Sequence, residues 1–422
     1  METTVKNPAP RSLRTEFSQG WQVLLFATVG AGVGFSSLGY ILGPLVVPLQ
    51  EEFGWGRGEI TLTSLWSSLG MALALPFMGR LLDRFGVKRV ALVSLPMFAA
   101  VLFTLSQFES TLLIFLVLYG LTGILGVGTS AVTYAKAIVE KFDTMRGLGL
   151  GIMATGLGAA GLTLPPLVSA LVSLHGWRSV YFALGLLGLV PLLLLIFTRL
   201  PHLPRQNRVP QEHAGSPGMP RPQTKYGREF WTLMVSFFML GWALLTMVPH
   251  FVPMLIDSGI TPMRAALLSS FIGVGTVIGR PIIGWLMDKF YATHVAVPLF
   301  AATALGCVLL LLAGPQYAAL TAVLIGVGFG AEIDLMSYLS SRYFRPHEFG
   351  TLYSYIYSAF MIGSALGPVV AGFIFDSAKS YNIPLIMATT LLLLGSVVLL
   401  SLPRYDRRIS ELNTQPTTPA LK

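Results

Sequence analysis

The sequence predicts an all-α membrane protein whose twelve transmembrane helices form two pseudo-symmetric six-helix bundles. Of its 422 residues, 54% are hydrophobic and only 11% are charged, whereas a soluble domain carries roughly a quarter charged residues. Apolar stretches of membrane-spanning length recur along the chain, and its two halves match each other in sequence. These observations exclude an ordinary soluble enzyme.

A membrane-spanning helix needs about 20 mostly apolar residues. Twelve windows of that length follow one another, and little chain is left for a soluble domain. They begin near Trp21, Ile60, Val90, Leu112, Leu148, Ser179, Phe230, Arg264, Val295, Tyr317, Thr351 and Ile383.

One polar, proline-rich and basic segment, residues 199–229, interrupts the apolar pattern and is predicted to be a cytoplasmic linker. It separates a bundle at 21–198 from a bundle at 230–402. Residues 1–20 and 403–422 are predicted to be cytoplasmic tails. The first of these tails does not resemble a cleavable signal peptide.

The net charge of +9 is distributed unevenly along the chain. Most Lys and Arg residues fall in cytoplasmic segments if the N-terminus lies inside. Only Arg57, Arg178, Arg264 and Lys379 would lie outside, and Arg280 lies within a span. This positive-inside bias predicts a multi-pass protein of the cell membrane, bacterial and inner, with both termini cytoplasmic. It explains the charge without a nucleic-acid partner.

The two halves repeat when the first is shifted by 205 positions, so that Gly70 meets Gly275. A tandem repeat of this kind is typical of transporters that rock two bundles around a central site. Arg280 falls opposite Leu75, so the repeated scaffold itself does not require an arginine there. The other matches are Pro76 with Pro281, Gly79 with Gly284, Leu81 with Leu286, Asp83 with Asp288 and Phe85 with Phe290.

Charged residues cluster in the loop after the second span and again in the second half. We predict that they latch the cytoplasmic face and release it as the bundles move, the alternative being ordinary solvated loop charges. The cluster comprises Asp83, Arg84, Lys88 and Arg89, with Asp288 and Lys289 in the second copy.

The run from Gly79 to Arg89 resembles the signature loop of the major facilitator superfamily. That resemblance implies a solute carrier with alternating access around a central cavity. Within the superfamily, Gly20-Trp21, Phe53-Gly54-Trp55 and the glycine-rich run 146–161 are similar to the monocarboxylate transporter group and its bacterial relatives. In that group, an arginine in the eighth helix contacts the substrate carboxylate.

Arg280 occupies that place in an otherwise apolar stretch. A charge at bilayer depth costs a few kcal/mol on insertion scales, so this side chain should face water, a partner or a ligand. Its five donors in a planar fork match a carboxylate. The cargo is therefore predicted to be a small organic anion, with monocarboxylates first. Thr276 stands where the group often has an aspartate, four residues before the arginine.

Glu332 and Asp334 in the tenth span lie at a depth that matches Arg280. One of them is predicted to take a proton when the site is occupied, with a permanent ion pair between the two helices as the alternative. Residues two apart on a helix point about 200° apart. The sequence therefore leaves open which carboxylate faces the cavity.

Further substrate contacts are predicted from polar and aromatic side chains in the spans. Each has an ordinary alternative: a solvated histidine, an interfacial tyrosine or a packed phenylalanine. The candidates are His250, Tyr119, Tyr338, Tyr357, Phe35 and Phe360.

No cofactor, metal or nucleotide site is expected. Cys307 is the single cysteine, and no P-loop ending follows the glycines near Gly149. The prediction is a monomeric, non-enzymatic secondary transporter in the lipid bilayer, with protons as the coupling ion. An organic-anion exchanger of the oxalate–formate type, an exporter and, more remotely, a transporter-like receptor are the alternatives.

Overall fold

The computed structural model describes residues 13–109, 111–142, 146–197, 226–344 and 346–403, and nearly all of them are helical. The first half contains seven α-helices and the second half contains seven more. They are α1 (Leu13–Val33), α2 (Leu38–Phe53), α3 (Arg57–Ser106), α4 (Leu112–Gly126), α5 (Ala131–Lys141), α6 (Arg146–His175), α7 (Arg178–Phe197), α8 (Arg228–Asp257), α9 (Pro262–Ser269), α10 (Phe271–Lys289), α11 (Ala292–Ala313), α12 (Ala318–Tyr343), α13 (Pro346–Ala378) and α14 (Asn382–Leu399).

These helices cover the sequence windows of the predicted spans, and the count of twelve stays a prediction. The pairs α1–α2, α4–α5 and α9–α10 each form one broken span. Helix α3 consists of two helices that meet at Gly86, where φ is +77°, and Arg84–Ser106 is its candidate span. Ten segments among the described residues are long and apolar enough to cross a membrane, and one of them, Ala292–Ser340, holds both α11 and α12. The all-α membrane fold is confirmed.

The domain boundaries stay predictions. The first helix begins at Leu13, before the predicted start of the first span near Trp21, and α8 begins at Arg228. Most of the predicted linker, and the tail after Pro403, lie outside the described residues. The division into bundles at 21–198 and 230–402 stays a prediction that the packing supports, because the second half contains one continuous apolar core of its own.

The repeated glycines have a structural reason. A Cβ atom on Gly70 would lie 2.3 Å from the carbonyl oxygen of Gly120, and one on Gly275 would lie 2.2 Å from that of Val323. In each half, the second span therefore touches the fourth with backbone against backbone. Such close approach needs small residues, so the repeat preserves one helix contact in both halves.

The broken spans of the first half support each other. The backbone at Gly34 is extended, with ψ at −155°, and it separates α1 from a short 3₁₀ turn at Phe35–Ser37. The amide of Phe35 donates to Thr129 Oγ1 at 3.1 Å, beside the second break at Ser130. Within a bilayer, an amide freed by a break needs a protein partner, and Thr129 supplies it.

The halves meet closely toward the helix ends opposite the termini, which we call the outer face because the charge distribution predicts it to lie outside. A Cβ on Gly372 of α13 would lie 2.6 Å from Gly58 Cα of α3, and a Cβ on Gly273 of α10 would lie 2.5 Å from the carbonyl carbon of Gly161 in α6. Backbone contact of this kind closes the outer face.

Candidate functional site

Arg280 lies near the middle of α10, is half-buried, and interacts electrostatically with Tyr40 of the first half. Its Nε atom is buried and has no hydrogen-bond partner among the described residues. Its charge acts on Glu332 and Asp334 of α12 and on Tyr40 of α2. Among the described residues, no ion pair of 4.0 Å or less joins Arg280 to either carboxylate, so the Nε hydrogen has no acceptor there.

The two carboxylates differ in burial. Glu332 is only 2% exposed, and its Oε2 atom is buried with no hydrogen-bond partner among the described groups. Asp334 is half-buried. Both act electrostatically on their surroundings, Glu332 on Tyr40 and Tyr357 and Asp334 on Tyr353. The long arginine side chain thus has both carboxylates as neighbours although they leave α12 in different directions.

Aromatic rings line the neighbouring helix α13. Tyr353 and Tyr357 stack with centroids 6.1 Å apart and planes 18° apart, and Tyr357 and Phe360 stack at 6.2 Å and 25°. The Tyr357 hydroxyl interacts electrostatically with the carboxylate of Glu332. The predicted residues Tyr357 and Phe360 therefore belong to one aromatic face of α13, in which Tyr357 is half-buried beside Glu332 and Phe360 is 3% exposed in the core of the second half.

Tyr40 brings the first half of the chain to this group, and the sequence analysis missed it. Its ring packs edge-on against Phe329 of α12 at 6.4 Å. A Cβ on Gly161 would lie 2.9 Å from its Cε1 atom, so the glycine makes room for the ring. Tyr353 was missed as well, although it lies one helical turn before Tyr357 and that spacing could have indicated it.

Tyr119 lies in the core of the first bundle rather than with Arg280, so a direct substrate contact is not supported for it in this conformation. It is 2% exposed within the core of the first bundle. Its hydroxyl lies 2.5 Å from that of Tyr181 on α7. The fourth span is apolar on all sides, so its sequence does not show which face is turned inward.

None of the contacts described for Tyr338, Phe35 and His250 involves Arg280. The Tyr338 hydroxyl donates to the carbonyl oxygen of Met287 at 3.2 Å and accepts from Arg342 at 3.0 Å, at the inner ends of α10 and α12. Phe35 is half-buried against the first bundle. His250 is 1% exposed and bonded to α13 and to Tyr381. A direct substrate contact is not supported for these three.

The predicted cytoplasmic latch is described only in part, because the side chains of Asp83 and Asp288 lie outside the described residues. Arg84 lies over the ring of Phe85, and Lys289 lies over that of Trp285 at 3.9 Å. In the same loop, Lys88 is half-buried and Arg89 is exposed. The latch stays a prediction.

Comparison with known proteins identifies the family. The profile of the Major Facilitator Superfamily matches residues 24–354 and matches again over 251–422. The chain belongs to this superfamily. Because the superfamily consists of membrane transporters, this member is a multi-pass transporter and not an enzyme, as predicted.

Relatives of this superfamily member include monocarboxylate transporter 11 of Homo sapiens, 28% identical over 91% of this chain and 83% of that protein. The gallate transporter of Pseudomonas putida is 26% identical over 79% of this chain and 80% of that protein. The xylose transporter XylE from E. coli, in an inward-open conformation, shares the fold at 14% identity, with a TM-score of 0.70 over 92% of this chain and 97% of that chain. The resemblance to the monocarboxylate transporter group is confirmed.

Proposed function

We propose that this protein is a secondary transporter of small organic acids, that it works by alternating access with proton symport, and that Arg280 binds the substrate carboxylate. The observation that carries the proposal is a half-buried guanidinium between the two halves with an unsatisfied Nε atom. A carboxylate that accepts from this planar fork makes charge-assisted hydrogen bonds. The names of the relatives, a monocarboxylate transporter and a gallate transporter, agree with an acid as cargo.

The charges around Arg280 support coupling to protons. With Glu332 and Asp334 both ionised, the site already has one negative charge in excess, and a bound anion would raise the excess to two. Uncompensated charge in a low-dielectric interior is costly, so one proton should enter with the anion. Glu332, the more deeply buried carboxylate with an unpartnered oxygen, is our candidate for the proton acceptor.

The aromatic face of α13 indicates which acids fit. Tyr353 and Tyr357 present nearly parallel rings beside the carboxylates, and the buried Phe360 stacks on Tyr357. A planar ring can stack on such a face, and aromatic pairs add about 0.5–1.5 kcal/mol beyond the area they bury. We therefore propose that aromatic acids bind more tightly than short aliphatic acids of the same charge.

A thermal-shift screen of the purified protein tests the anion site. Benzoate, gallate, lactate and pyruvate are compared on the wild type, on Arg280→Ala and on Arg264→Ala. Arg264 is a matched control because it is an exposed arginine in the same span. Bonds to a charged group contribute about 1.5–3 kcal/mol, so affinity should fall roughly tenfold to hundredfold in Arg280→Ala only. Undiminished stabilisation of Arg280→Ala by the acids would refute the proposal.

A further inference from the structure

Arg57, the first residue of α3, joins the two halves at the outer face. It is 5% exposed, and its Nη1 and Nη2 atoms donate to both carboxylate oxygens of Asp257, at the end of α8, at 2.5 and 2.8 Å. Its Nε donates to Gln50 at 2.8 Å, and its guanidinium lies 3.9 Å from the ring centroid of Phe375 on α13. This bidentate pair holds one half of the chain against the other.

The amino end of α3 makes a second connection between the halves. The amides of Arg57 and Gly58 each donate to Asp376 of α13, at 2.8 Å to Oδ1 and Oδ2. A carboxylate at a helix N-terminus is stabilised by the free amides and the helix dipole. The start of α3 is therefore fixed to α8 and α13 together, and the outer face cannot open unless these bonds break.

A chain of hydrogen bonds leads from this pair to His250. Arg57 Nη1 donates to the Tyr381 hydroxyl at 2.8 Å, that hydroxyl lies 3.1 Å from His250 Nδ1, and His250 Nε2 lies 2.8 Å from the carbonyl oxygen of Pro368. A carbonyl only accepts, so Nε2 carries a hydrogen. Arg57 only donates, so Tyr381 turns its own hydrogen to Nδ1. The partners thus assign a neutral imidazole to the closed state.

This chain of hydrogen bonds leaves no position for a proton on His250 Nδ1 in addition to the one on Nε2. If Nδ1 were protonated, the Tyr381 hydroxyl hydrogen would need another acceptor, and its described partners are Arg57 and His250 alone. The charged groups around His250 are Arg57 of α3, Asp376 of α13 and Asp257 at the end of its own helix, with the Tyr381 hydroxyl between. Asp257 is occupied by Arg57 and Asp376 by the amides of α3, so neither is free to compensate an imidazolium.

We propose that Arg57, Asp257, Tyr381 and His250 form a proton-responsive lock on the outer face, in which binding of a proton to His250 releases the closed state. A state that excludes the proton loses population as the pH falls, because the open state binds it. Acid on the outer side should therefore favour the outward-open conformation. This lock is separate from Arg280 and operates for any substrate.

The experiment measures an outer-face distance by double electron–electron resonance on the full-length protein in nanodiscs. Spin labels are attached at His175→Cys and Thr261→Cys, two exposed positions in opposite halves, after the buried Cys307 is replaced by alanine. Spectra are compared between about pH 8 and about pH 5.5, a range that spans ordinary histidine titration. We expect the open population to rise in acid, by at most about tenfold per pH unit for one proton.

His250→Gln, which cannot take a proton, should abolish this response. His294→Gln, an exposed histidine at the opposite face, should leave it intact. Asp257→Asn should raise the open population at both pH values. Should His250→Gln fail to fold, Tyr381→Phe, which removes only the connecting hydroxyl, takes its place. The proposal would be overturned if the wild-type distance did not change with pH, or if His250→Gln or Tyr381→Phe kept the full response. Neither outcome depends on whether Arg280 binds an acid.

Discussion

At the residue scale, the buried Arg57 and the half-buried Arg178 and Arg280 differ in how completely their hydrogen-bond donors are used. Arg178 donates to the Phe108 carbonyl oxygen at 2.8 and 3.1 Å and pairs with Glu52 at 2.7 Å. Arg57 uses its donors on Asp257, Gln50 and Tyr381. Arg280 keeps a buried Nε without a described partner. Because a buried unsatisfied donor costs free energy, Arg280 is the arginine that a ligand can stabilise.

Glu332→Gln tests the proposed proton acceptor. The amide keeps the size and polarity of the side chain but cannot exchange a proton, so an acid should still bind and exchange across the membrane. Accumulation driven by an imposed pH gradient should be largely lost, because the glutamine amide cannot bind and release a proton together with the acid. Radiolabelled benzoate uptake into proteoliposomes measures both activities, and Asp334→Asn is the matched control. Unchanged gradient-driven uptake in Glu332→Gln would exclude this carboxylate from coupling.

Tyr357→Leu tests the aromatic face of α13. Leucine keeps an apolar side chain but removes the ring that stacks on Tyr353 and Phe360. Loss of a stacking contact worth about 0.5–1.5 kcal/mol should weaken benzoate binding severalfold and leave lactate binding nearly unchanged. Dissociation constants from calorimetry give the comparison. Equal losses for the two acids would mean that the rings contribute only to packing.

At the element scale, glycines decide how closely the helices approach. Gly275 of α10 meets the backbone of α12 and Gly273 meets that of α6, so the helix that carries Arg280 is fixed on both sides. Broken spans add polar backbone at mid-depth, which a bilayer tolerates only where protein satisfies it. The backbone contacts of Gly273 and Gly275, one to two turns before Arg280 on α10, therefore help to determine the position of Arg280.

Gly275→Ala tests this packing. The added Cβ would lie 2.2 Å from the Val323 carbonyl oxygen, and overpacking of this kind costs about 1–3 kcal/mol. Gly284→Ala is the control, because a Cβ there meets no atom within 4 Å and alanine favours a helix by about 0.5–1 kcal/mol over glycine. Melting of the detergent-solubilised variants should show a lower midpoint for the first and an equal or higher one for the second. Equal midpoints would contradict the packing argument.

At the scale of the whole molecule, the two halves meet at the outer face through α3, α8 and α13 and at mid-depth around Arg280 and Tyr40. The site and the proposed lock thus lie on the same interface but use different residues. A rocking motion that opens the outer contacts would also move Tyr40 relative to Glu332, since the two lie in different halves. Binding and opening are therefore expected to be linked.

Membrane orientation is a prediction at this scale. In intact cells, cysteine at the exposed Lys379 should react with a membrane-impermeant maleimide, whereas cysteine at the exposed Arg89 should react only after permeabilisation. The positive-inside bias is the physical reason, and Cys307 is buried and gives no background. The opposite labelling pattern would reverse the assignment of the outer face.

The sequence alone determined the membrane fold, the repeat and the isolated charge of Arg280. These follow from local requirements. A membrane-spanning helix must consist of mostly apolar residues, and glycines at equivalent positions indicate equivalent close helix contacts. A charged residue within a span is energetically costly, so its presence indicates a function. The tertiary structure decided which side chains meet. It placed Tyr119 in a bundle core, Tyr40 beside Glu332 and His250 in the outer contact, because helices that are apolar on all sides carry no polar face to show their rotation. The packing of the neighbouring helices determines that rotation instead.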